Sequence, residues 1–168
     1  MKRLFILRHG RAESPAAQGS DFERCLTESG RSDVARVASR LAARGIRPRR
    51  LVASPARRAQ ETAQIVAQVL GHPGQAVIYD PELYLASRQV LLDHLASQPG
   101  EVDTLLLVGH EPGLSDLGRY LTNVGLDALP TSAVFAVEWD GRDWRDPGFG
   151  GAEFAFFESP LSSSSERP

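Results

Sequence analysis

Short apolar runs that stop abruptly at polar residues constrain this chain more than any other feature. Leu4-Phe5-Ile6-Leu7 and Leu105-Leu106-Leu107-Val108 each run four residues without a polar side chain. Runs of that length read as strands buried on both faces, as in a parallel sheet covered by helices. Arg50-Leu51-Val52-Ala53 and Ala76-Val77-Ile78-Tyr79 read as further strands, and Ala133 to Trp139 as another. Glu153 to Phe157 reads as a last strand, antiparallel at an edge.

Helical patterns fill the gaps. Thr27 offers an N-cap with Glu28 in the first turn, and Val34, Val37, Ala38 and Leu41 follow at helical spacing up to Gly45. Ser54-Pro55 reads as the cap and first-turn proline of a helix ending at Leu70, before Gly71. Residues 87–97 and 112–122 carry two more helices, while 11–26 reads as a polar loop. Strands alternating with helices predict an α/β protein with a mostly parallel central sheet.

Composition narrows the function classes. At 168 residues the chain suits one domain, expected over 1–158, with a disordered serine-rich tail over 159–168. No apolar run is long enough to span a membrane. The apolar stretch near the start breaks at Arg8, too short for a signal peptide, so a cytoplasmic protein is expected. The net charge of −2 argues against nucleic-acid binding, and the cluster Arg44, Arg47, Arg49, Arg50 reads as a solvated turn. Cys25 is the single cysteine, which excludes an internal disulfide and a cysteine-based metal site.

Three of the buried strands end in unusual chemistry. The first runs into Arg8-His9-Gly10, the second into Ser54-Pro55-Ala56-Arg57-Arg58, and the fourth into Gly109-His110-Glu111-Pro112. Open α/β sheets bind ligands at the carboxyl ends of their strands. If these strands are parallel neighbours, two histidines and several arginines meet there beside two helix N-termini, a site for a doubly charged anion such as phosphate. Helical geometry chooses between the adjacent arginines. Arg57 shares a wet face with Glu61, Gln64 and Gln68, whereas Arg58 lines up with Thr62, Ile65 and Val69 beside the apolar stripe. Arg58 is therefore assigned to the pocket, and Arg57 to a surface pair with Glu61.

Arg8-His9-Gly10, Ser54-Pro55-x-x-Arg58-Ala59-x-x-Thr62-Ala63 and Gly109-His110 together resemble the histidine phosphatase superfamily, the phosphoglycerate-mutase-like clan. Arg24-Cys25-Leu26-Thr27-x-x-Gly30 and Val108-Gly109-His110-Glu111-Pro112-Gly113 are most similar to its SixA-type branch of phosphohistidine phosphatases, with Cys25 where that branch usually has proline. The resemblance covers about residues 3–158 and implies a three-layer α/β/α fold. It implies that His9 attacks phosphorus to give a phosphohistidine intermediate, which water hydrolyses. Arg8, Arg58 and His110 would hold the phosphoryl oxygens. Arg24, Ser54 and Glu111 are candidate substrate-binding residues. His9 would be neutral and His110 protonated, their pKa values pushed apart. No metal and no cofactor are implied. The partner would be a phosphate-bearing substrate, including a phosphohistidine protein, with no nucleic acid and no membrane.

One departure bears on substrate. Many superfamily members carry a glutamate after the third strand, in the pattern Pro-x-Leu-x-Glu, that protonates the leaving oxygen. This chain reads Pro81-Glu82-Leu83-Tyr84-Leu85, with Leu85 at the acid's position and Glu82 as the nearby substitute. A missing acid hinders loss of an alkoxide more than loss of an imidazole, which favours a phosphoramidate substrate. Two alternatives stand beside that reading: a general phosphomonoesterase using Glu82 as its acid, and an inactive module that binds a phosphorylated ligand.

Overall fold

The computed structural model describes residues 1–162, without the side chains of residues 17 and 18. Six strands, β1 (Lys2–Arg8), β2 (Arg50–Ala53), β3 (Ile78–Tyr79), β4 (Thr104–Gly109), β5 (Val134–Trp139) and β6 (Glu153–Glu158), form one sheet in the order β3-β2-β4-β1-β5-β6. β3, β2, β4 and β1 are mutually parallel. β5 runs against β1, and β6, on the edge, pairs antiparallel to β5. The sheet is therefore mostly parallel, as predicted, and the reversal of direction falls at β5.

Alternation along the strands builds the two outer layers. Phe5, Leu7, Leu51, Ala53, Leu106 and Val108 point to the face covered by α2 (Glu28–Ala43) and α3 (Arg57–Leu70). Leu4, Ile6, Val52, Leu105 and Leu107 point to the other, under α4 (Arg88–Ala96) and α5 (Gly113–Thr122). Burying each such leucine or isoleucine contributes about 1.5–3 kcal/mol. Thr27 and Ser87 cap α2 and α4, their side chains accepting from Gly30 N at 2.9 Å and Val90 N at 3.4 Å. Among the described residues no helix is long and apolar enough to cross a membrane.

Several predicted boundaries move. The third strand shortens to two residues because Gly74–Ala76 coil into a 3-10 turn. α3 starts at Arg57 with Ala56 at its N-cap, so Ser54 does not cap it. Ser54 still belongs to the sheet, its N–H donating to Val108 O at 3.1 Å. The polar loop contains a short helix, α1 (Pro15–Gln18), and closes through a bridge between Ala12 and Leu26. Ser159 and Pro160, assigned by composition to the disordered tail, are held by arginines of α2 through their main-chain oxygens. Arg40 Nη1 donates to Ser159 O at 2.6 Å, and Arg44 pairs with Glu158 at 2.7 Å rather than projecting into solvent. The rest of the tail, 163–168, lies outside the described residues.

Candidate active site

Register brings the three polar strand ends together. Arg8 lies opposite Gly109 across β1 and β4, and Ala53 opposite Val108 across β2 and β4. The next residues of all three strands, His9, Ser54 and His110, therefore emerge side by side at the carboxyl edge. The His9 and His110 ring centroids are 5.2 Å apart. Arg58, reaching over from the first turn of α3, is only 2% exposed and touches both rings. Its Nε donates to His9 Nε2 at 3.3 Å, and its Nη2 lies 3.4 Å from His110 Nδ1. Arg57, one residue earlier, pairs with Glu61 at 3.2 Å on the surface.

Donor and acceptor chemistry decides the protonation of both rings. A guanidinium only donates and a carbonyl only accepts. His9 Nδ1 lies 2.7 Å from Gly10 O and so carries the ring proton, leaving a lone pair on Nε2, the atom that faces Arg58. His110 presents its Nδ1 lone pair to Arg58 and donates from Nε2 to Ser54 Oγ at 2.8 Å. Burial, with the arginines beside it, pushes the His9 pKa down to about 4. Burial, then His9 and Arg58, push His110 down to about 3. The expectation that the two values are pushed apart with His110 protonated is not met: the same desolvation acts on both. His9, like His110, is held in its neutral form.

The remaining predicted residues divide. Arg8 is tied through Nη1 to Leu129 O at 2.8 Å, while its buried Nε has no partner among the described residues. Ser54 is fully buried; its Oγ accepts from His110 Nε2 and from Ala56 N at 3.2 Å, just ahead of α3. Arg24 reaches the rim, where its Nε donates to Asp21 Oδ1 at 3.1 Å and its charge helps to lower the His9 pKa. Glu111 is held by two main-chain donors. Its oxygens accept from Ser115 N at 2.9 Å and Leu129 N at 3.1 Å, which ties it to the first turn of α5, and its charge acts on Arg8. Glu82 is exposed on the 3-10 turn Pro81–Leu83, and its side chain makes no hydrogen bond or ion pair to the histidines or arginines of the site. Leu85, at the position of the family's acid, is 56% exposed with φ of 50°. The two helix N-termini are less open to an anion than predicted, because Arg57 N–H donates to Phe22 O at 3.0 Å and Ser115 N–H to Glu111. Among the described residues no group of three or more His, Cys, Asp or Glu side chains is arranged to hold a metal ion.

Four residues of the site escape the sequence reading. Asp21 accepts from Arg58 twice, through its main-chain oxygen at 2.7 Å and Oδ2 at 3.0 Å, and the Tyr84 hydroxyl donates to the same Oδ2. Thr62 Oγ1 accepts from Gly10 N at 3.0 Å and donates to Arg58 O at 2.7 Å, pinning the neighbour of His9 to α3. Ser132, at φ of 66°, donates its N–H to His9 O at 3.1 Å. The spacing Asp21-x-x-Arg24 and the place of Thr62 one turn after Arg58 carry some signal for two of them; Tyr84 and Ser132 carry none.

With this geometry in place, comparison with known proteins is informative. The model of the histidine phosphatase superfamily (branch 1) matches residues 4–84, the part that carries Arg8, His9, Arg24 and Arg58. The structure of the protein histidine phosphatase SixA complexed with tungstate superposes with a TM-score of 0.80 at 28% identity, covering 94% of this chain and 97% of that one. SixA from Agrobacterium tumefaciens gives 0.79 at 25% identity over 95% of this chain and 98% of its own. An uncharacterized protein of Picosynechococcus sp. is 34% identical over 115 residues, 67% of this chain and 68% of that protein. A sheet edge that unites Arg8, His9, Arg58 and His110, a family model matching residues 4–84 with three of them, and neighbours of this closeness lead to one conclusion: the chain belongs to the histidine phosphatase superfamily.

Proposed function

We propose that the protein is a phosphatase in which His9 is the nucleophile, acting on phosphohistidine carried by a protein or on another phosphoramidate. The observation that supports this best is the His9 ring itself. Its Nδ1–H is committed to Gly10 O, and its Nε2 lone pair faces the guanidinium of Arg58. In the reaction Nε2 attacks phosphorus, the bond to the leaving group breaks, and the non-bridging oxygens gather beside Arg8 and Arg58. Nδ1–H stays on Gly10 O while the ring becomes cationic, which stabilises the intermediate. Water then attacks phosphorus and returns the lone pair to Nε2. The SixA neighbour was captured with tungstate, a tetrahedral oxyanion shaped like phosphate, which agrees with such a pocket.

A phosphoramidate is favoured over an alkyl phosphate because no carboxylic acid stands ready to protonate an alkoxide. Leu85 replaces the family's glutamate, and Glu82 is exposed with no side-chain tie to the site. The test is turnover of phosphoimidazole and p-nitrophenyl phosphate by wild-type protein and His9→Ala. Wild-type turnover that falls about a thousandfold or more in the variant is expected. Undiminished turnover by a folded His9→Ala protein would refute the role of His9.

A further inference from the structure

The mechanism leaves Asp21 without a task, although it stands in contact with the pocket. Oδ2 accepts from Arg58 Nη2 at 3.0 Å and from the Tyr84 hydroxyl, and Oδ1 accepts from Arg24 Nε at 3.1 Å. The guanidinium that holds this carboxylate also touches His9 Nε2 through Nε. One flat group thus spans from the nucleophile to Asp21, which puts both on the rim of the same pocket. Despite three charge-assisted or hydroxyl contacts, the Asp21 side chain is 42% exposed, and it keeps lone pairs for a further donor arriving from solvent. Aromatic rings flank it. Tyr84 packs edge-on against Phe22 at 5.1 Å and against His110 at 5.5 Å, and Phe22 is 36% exposed. A carboxylate beside aromatic rings suits a flat cation that carries an N–H.

We propose that Asp21, flanked by Phe22 and Tyr84, receives the leaving imidazole of a phosphohistidine by accepting the N–H of the ring nitrogen remote from phosphorus. This rests on the phosphoramidate reading above and assigns its specificity to a residue. The step balances without a proton donor. The substrate enters with phosphorus on one ring nitrogen and a proton on the other. His9 Nε2 gives its lone pair to phosphorus, the substrate P–N bond breaks, and that bond's electron pair stays on the departing nitrogen. The ring leaves as neutral imidazole, retaining the N–H held by Asp21. Water then adds to phosphorus, the bond to Nε2 breaks with its pair returning to His9, and dihydrogen phosphate departs.

Asp21 is suited to accept and not to donate. The Tyr84 hydroxyl, then Arg58 and Arg24, hold its carboxyl down to about 2, so it does not supply a proton to an alkoxide. The site thereby favours a leaving group that brings its own proton. This also explains how a phosphatase of this family works with Leu85 in place of the acid.

Asp21→Asn tests the assignment, because asparagine keeps an oxygen for Arg58 and Tyr84 while the main-chain oxygen still holds Nη1. On the full-length protein, the loss of kcat/KM on phosphoimidazole is expected to exceed that on p-nitrophenyl phosphate by about tenfold or more, the worth of a charge-assisted hydrogen bond. Equal losses on the two substrates would mean that Asp21 only positions Arg58, and would overturn the proposal. A second measurement needs no variant. Wild-type protein should turn over 1-methyl-3-phosphoimidazolium, which lacks the N–H, at least about tenfold less efficiently than phosphoimidazole; equal or faster turnover overturns the proposal. Wild-type protein inactive on every one of these compounds would instead refute the phosphatase reading itself.

Discussion

His9 illustrates how a single side chain is prepared by its surroundings. Its backbone is held on both sides, by Gly109 O at 3.2 Å from its N–H and by Ser132 N–H at 3.1 Å from its carbonyl. Its ring is held by Gly10 O, and Gly10 by Thr62. Four contacts thus orient one lone pair. Gly10 has no side chain to spare here, since a Cβ would meet Val34 Cγ2 at 2.8 Å. At the residue scale the expected result is spectroscopic. Nitrogen-15 NMR at pH 6 should find His9 neutral, with its proton on Nδ1, because burial holds its pKa near 4 instead of the ordinary 6.5. A cationic ring at that pH, or a proton on Nε2, would contradict the geometry.

At the scale of elements, the site depends on how closely α2 approaches the loop that follows His9. Gly30 sits in the first turn of α2, and a Cβ there would lie 2.2 Å from Arg11 O. Backbone has no flexible end with which to yield, so Gly30→Ala must push the helix and the loop apart. A loss of about 1–3 kcal/mol is expected, read as a lower urea midpoint with an unchanged slope. An unchanged midpoint would mean that the loop moves freely around α2. Because the same loop returns to Asp21 and Arg24, turnover should fall along with stability. α3 links the parts in another way. Arg58 and Thr62, one turn apart, bring the guanidinium and the Gly10 anchor from a single rigid helix.

For the molecule as a whole, the site carries a cost that appears at acid pH. His9 and His110 are neutral when folded, with values pushed to about 4 and about 3, whereas in the unfolded chain each takes a proton near 6.5. Between those values the unfolded state binds more protons, so stability rises with pH and is lost as pH falls from about 6.5 toward the folded values. Urea unfolding at pH 7.5, 6 and 5 should show a falling midpoint. The fall should be shallower in His110→Asn, which removes one of the two groups. A midpoint flat from pH 7.5 to 5 in the wild-type protein would show that the histidines are not held neutral by burial.

The alternation of buried strands and amphipathic helices, the strand ends that carry chemistry, and the choice of Arg58 over Arg57 were all legible in the order of residues. Each of these is written in local periodicity, which neighbouring residues impose on one another through helix and strand geometry. What those residues meet depends on how the chain packs. Asp21, Arg58 and Tyr84 are far apart along the chain yet share one cluster of hydrogen bonds. Ser54 turns from a helix cap into the partner of His110, and Glu111 gains Leu129 N beside the local Ser115 N, because strand register and chain return bring His110 and Leu129 to them. The shared depression of both histidine pKa values has the same origin. Desolvation is set by everything packed around a group, and that is known only once the sheet is covered.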